Sequence, residues 1–150
     1  MNQPLRPLLF GGDGTATAVT DAGLLVLRVV AGLSLALGHG LGKMPPSPRF
    51  VESVGGMGFP LPEVFAWAAG LSELVGGLFL ALGLLTRPAA FFVACTTGVA
   101  FFLRHAADPF PDKEKALLFL TIAVFLLLTG SGRFGLDRLI YQKRDDRIWR

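Results

Sequence analysis

AGLLVLRVVAGLSLALGHGL, residues 22–41, decides how the rest of the chain is read. Only Arg28 and His39 interrupt twenty positions of apolar and small side chains. That is the length an α-helix needs to cross a hydrocarbon core about 30 Å thick. In water such a helix would have to bury every face. The composition argues for lipid instead: 52% of the residues are hydrophobic and 17% charged, against about 25% charged in soluble domains. The mean hydropathy of +0.57 agrees.

Three more stretches follow the same logic. One runs from about residue 63 to 85 and carries Glu73 near its middle. Another is PAAFFVACTTGVAFFLRH, residues 88–105, and the last occupies about 114–130, with Lys113 and Lys115 able to snorkel at its start. Residues 42–62 hold five prolines and four glycines, so they cannot form one helix. The second and third stretches are separated by a short turn, and the third and fourth by AADPFPDKE. Short connections make successive helices antiparallel neighbours. The expected fold is therefore an all-α, integral membrane, antiparallel four-helix bundle. Residues 1–20 are expected to form a flexible cytoplasmic leader, 21–140 the membrane domain and 141–150 a basic cytoplasmic tail.

Four crossings put both termini on one side, and the basic residues choose which. Arg6, Arg87, Arg133, Arg138, Lys143, Arg144, Arg147 and Arg150 fall on the side of the termini; Lys43, Arg49, Arg104, Lys113 and Lys115 fall on the other. Positive charge stays inside, so both termini are expected in the cytoplasm. A basic tail next to an apolar span suits an anionic membrane surface, and no nucleic-acid partner is expected. Cys95 is the single cysteine, so an intramolecular disulfide, a Cys-x-x-Cys pair and a thiolate-rich metal site are excluded within one chain.

Charged side chains within apolar spans are costly and therefore informative. Arg28 lies about 9 Å deep and Glu73 about 15 Å from the opposite face, at 1.5 Å per residue. Arginine can cover the remaining depth, so Arg28 and Glu73 are candidates for an ion pair joining two helices. His39 and Lys43, four residues apart, share a helix face and could hold a ligand near the interface. Trp67 and Phe65 could stack on a ring. One histidine without neighbouring ligands gives no metal site.

LRVVAGLSLALGHGLGKM, GMGFPLPEVFAWAAGLSELVGGLFLALGLLTRPAA and GSGRFGLDRLI, in this order and spacing, resemble the DoxX family of small bacterial and archaeal four-helix membrane proteins. The resemblance implies a protein of the bacterial or archaeal cytoplasmic membrane, with some relatives linked to quinone-coupled sulfur oxidation or to thiol and oxidative-stress systems. It implies no single shared reaction, so whether the chain is an enzyme stays open, and no catalytic residue is assigned. The leading expectation is a membrane subunit of a quinone-linked oxidoreductase system. Its candidate ligand residues are Arg28, His39, Lys43, Trp67 and Glu73, its cofactor candidate is a quinone, and its partner candidates are a soluble redox protein and a second copy of the chain. The alternatives are a non-enzymatic scaffold docking a soluble partner and a small-solute transporter. Contact between Arg28 and Glu73 without a cavity would favour the scaffold; an open polar cavity would favour binding.

Overall fold

The computed structural model describes residues 17–141. The basic tail and most of the expected leader lie outside the described residues. Helix α1 runs Ala18–Lys43, ending in a π-helical turn, Ala36–Gly40, and a 3-10 turn, Leu41–Lys43. Thr17 caps it, its side chain accepting the Thr20 N–H at 3.3 Å. The short α2, Pro48–Gly56, starts at Ser47, whose hydroxyl accepts the Phe50 N–H. Helix α3 spans Pro62–Leu82, with a π turn at Ser72–Gly76, and α4 spans Thr86–Arg104, ending in a π turn. Helix α5 is Phe110–Thr129, and residues 136–141 are helical again.

The count of crossings needs correction. Three of these helices, α1, α3 and α4, are long and apolar enough to span a membrane, not four. Helix α5 exists, but Asp112, Lys113, Glu114 and Lys115 occupy its first two turns. The apolar part, residues 116–129, then reaches only about 21 Å at 1.5 Å per residue. With the fourth crossing gone, the parity that set both termini on one side goes too. Both termini also lie outside the described residues, so neither is placed.

Helices α1 and α3 meet along a seam of small residues. A Cβ added to Gly32 would sit 2.5 Å from the Gly77 carbonyl oxygen, and one on Gly77 would sit 2.7 Å from that of Gly32. Further along, a Cβ on Gly40 would collide with the backbone of Glu73 and Leu74, and one on Gly70 would meet the Met44 sulfur at 2.7 Å. Gly32, Ala36 and Gly40 recur every four residues on α1, and Gly70, Leu74, Gly77 and Ala81 follow at intervals of four, three and four on α3. Lipid is as apolar as leucine, so close backbone approach rather than hydrophobic burial holds such helices together. On the far side of α3, Leu80 packs with Ala90, Val93, Ala123 and Leu126 of α4 and α5.

The outer surface is apolar. Val26, Phe92, Phe102 and Leu128 are each 60% exposed or more. Soluble proteins rarely expose contiguous apolar patches beyond a few hundred Å², so this surface belongs in a bilayer.

Candidate functional site

Polar side chains collect at the two ends of the α1–α3 seam. At the end covered by α2, the Lys43 ammonium donates to both carboxylate oxygens of Glu73, each at 2.6 Å. Lys43 follows Gly40 by three residues, so it continues the stripe that faces α3. Glu73 lies in the π turn opposite that of α1. Its side chain is 4% exposed and that of Lys43 30%, so the pair is reached from the lysine side. Phe50 of α2 presents its ring 5.5 Å from the ammonium, a cation–π distance. The neighbouring Ser72 keeps a buried hydroxyl without a partner among the described residues. Single π turns within α-helices are frequent at functional sites, and here two face each other across an ion pair.

At the other end the cluster is tighter. Arg28, 1% exposed, donates to the Ala81 carbonyl at 3.0 Å and the Phe134 carbonyl at 2.6 Å. Ala81 lies in the last turn of α3, where unpaired carbonyls and the helix dipole favour a cation. Gly83 ends α3 at φ 65°, and a Cβ there would meet the guanidinium as well. Asp137, fully buried, accepts the N–H groups of Leu85 (2.7 Å) and Thr86 (2.9 Å). It thereby caps α4 and holds Leu85 in a left-handed conformation, φ 45°, that non-glycine residues seldom adopt. Asp21 accepts the Arg133 N–H at 2.9 Å. The segment GSGRFGLD is thus bound to the ends of α1, α3 and α4.

These positions revise the expected pairing. Arg28 and Glu73 do not meet: each sits at its own end of the seam with other partners. Asp21 is buried against the loop after α5. Trp67 is 40% exposed on the outer surface, where it stacks on no site residue among those described.

His39 and Lys43 also part company. The His39 ring stands edge-on to Phe119 of α5, centroids 5.4 Å apart. It lines an open groove of about 540 Å³ between α1 and α5, together with Ser34 and Lys115. Spacing of four could not show this, because Lys43 lies equally within reach of the Gly40 stripe. As a snorkelling flank, Lys115 gives no sign of this groove in the sequence. Among the described residues no three His, Cys, Asp or Glu side chains gather as a metal site.

The DoxX family model matches residues 23–106, the stretch that contains all three π turns, Arg28, Lys43 and Glu73. The chain belongs to the DoxX family. It is 35% identical to the inner membrane protein YqjF of Escherichia coli over 132 residues, covering 82% of this chain and 95% of YqjF. It is 31% identical over 123 residues to a Bacillus subtilis protein named "Putative oxidoreductase CatD", covering 81% and 90%. An uncharacterized protein of Haemophilus influenzae is 32% identical over 127 residues, covering 80% and 92%. No solved structure matches. This DoxX protein is therefore integral to a membrane, with its conspicuous polar side chains at both ends of one helix pair.

Proposed function

We propose that the protein is the membrane subunit of a quinone-linked redox system of a bacterial or archaeal cytoplasmic membrane, and that the Lys43–Glu73 pair is its ligand site. The observation that carries this is a nearly inaccessible carboxylate bound to a lysine that stays one-third exposed. A charge pair needed only for packing would gain nothing from that opening, whereas a ligand needs it. The ammonium is a donor for a quinone carbonyl, Glu73 is an acceptor for a quinol hydroxyl, and Phe50 offers an apolar wall. A bound quinone would supply two-electron chemistry; the electrons would have to come from or go to a partner protein, since the chain has a single cysteine. The name of the Bacillus subtilis relative is in keeping with redox work. A second copy of the chain could complete the assembly.

A transporter is the weaker reading. Between Arg28 and Lys43 the α1–α3 seam is closed by backbone contact at Gly32 and Gly77, with no room for a solute along that seam. The scaffold alternative would dock its partner on the basic tail, which lies outside the described residues.

The test is quinone binding to the full chain in lipid nanodiscs, wild type beside Lys43→Met, Glu73→Gln and His39→Ala. Saturable binding by wild type, weakened at least tenfold in Lys43→Met and retained in His39→Ala, is the expected result. Loss in His39→Ala alone would move the quinone to the α1–α5 groove. No binding by folded wild type would leave the scaffold.

A further inference from the structure

The groove between α1 and α5 is a separate feature, and its polar mouth takes no part in the Lys43–Glu73 site. Val26, Val30 and Ala31 line it from α1 and Leu118, Phe119 and Ile122 from α5. Ile122 lies four residues from Leu118 and three from Phe119, so the three share one face of the helix. The mouth is different: His39 and Lys115 stand there together. Lys113, two residues earlier, turns towards α4, reaching the Ala106 carbonyl at 3.5 Å and the Phe101 ring at 5.8 Å. Lys115 has no such contact among the described residues, and His39 has only its ring contact with Phe119. The neighbouring carboxylates Asp112 and Glu114 are exposed and bridge neither group. Two hydrogen-bond donors without protein acceptors therefore flank the polar end of an apolar trough.

Length fixes what fits below them. Val26 and His39 are thirteen residues apart, about 20 Å of helix. One leaflet is about half of a 30 Å hydrocarbon core, so the trough runs a little more than one leaflet deep. It is open to the side, where lipid is the solvent. We propose that the groove binds one phospholipid, an acyl chain lying along Val30 and Ile122 and the headgroup phosphate accepting from Lys115 and His39. The phosphate is favoured because the Lys115 ammonium at the mouth complements a negative charge. This proposal does not depend on the role of Lys43 and Glu73.

The experiment is native mass spectrometry of the full-length protein in mild detergent, titrated with dioleoyl phosphatidylglycerol. One lipid per chain should be retained by wild type. Val30→Trp should weaken retention at least tenfold: Val30 is 59% exposed, so the indole fills the groove without entering the core. Lys115→Gln, at an exposed helix position, should weaken it several-fold. Phe92→Trp, on the outer face of α4, should leave it unchanged. Equal retention by Val30→Trp and wild type would overturn the proposal, as would several lipids lost uniformly from all variants. Expulsion of the lipid by an equimolar quinone would also overturn it and assign the groove to quinone. Failure at Lys43 in the quinone assay leaves these outcomes untouched.

Discussion

The two ends of the α1–α3 seam carry similar residue types and use them differently. At one end Arg28 and Asp137 are sealed, 1% and 0% exposed, and among the described residues they hydrogen-bond to backbone groups of other helix ends and of the segment after α5. At the other, Lys43 and Glu73 bond to each other, and the lysine remains partly open. A side chain spent on backbone groups that have no other partner is part of the architecture. A pair satisfied only by itself can exchange a partner for a ligand. The contrast teaches that an intramembrane charge is classified by what it bonds to, not by its depth.

Stability measurements on purified protein can break that contrast. Asp137→Ala should have the largest effect, lowering stability by about 3 kcal/mol or more, because two buried N–H groups lose a charged acceptor; thermal melting in detergent reads it. Gly83→Ala should follow at about 2 kcal/mol, from the left-handed backbone and the approach of Arg28. Lys43→Met should cost less than Asp137→Ala, and the double variant Lys43→Met/Glu73→Leu should return to within about 1 kcal/mol of wild type, since apolar replacement of a whole buried pair is often neutral. Should Lys43→Met destabilise as much as Asp137→Ala, with no recovery in the double variant, the pair would be structural and the proposed site would fall. Trp67→Phe should change stability by less than about 0.5 kcal/mol, as an outward-facing residue.

Much of this fold was legible in composition and spacing. The apolar runs located α1, α3 and α4 to within a few residues. The last helix is also visible, but reading Lys113 and Lys115 as snorkelling flanks overlooks that the charges at 112–115 leave too short an apolar stretch for a crossing. For the site, residue types were legible and partners were not. Depth along two helices made Arg28 and Glu73 look like a match, because depth says nothing of the carbonyl at Ala81 or the loop carbonyl at Phe134. Likewise, His39 and Lys43 are separated by one turn whether they share a ligand or face different helices. The pattern Gly32–Ala36–Gly40, continued to Lys43, held the information that placed lysine against α3. Only the position of α3 made it readable.

The hydrogen bonds of Arg28 also set an order in time. Its two acceptors stand 53 and 106 positions later in the chain. During synthesis the arginine enters the bilayer with the first helix, when neither exists, and carries a cost of at least about 2.5 kcal/mol if it reaches the bilayer centre. The first acceptor arrives with the end of α3, and the second only after α5 has been made. Assembly of this end of the molecule is therefore completed last, and a chain stopped before residue 134 would leave its first helix with an incompletely satisfied charge, a state that membrane quality control could distinguish from the finished protein.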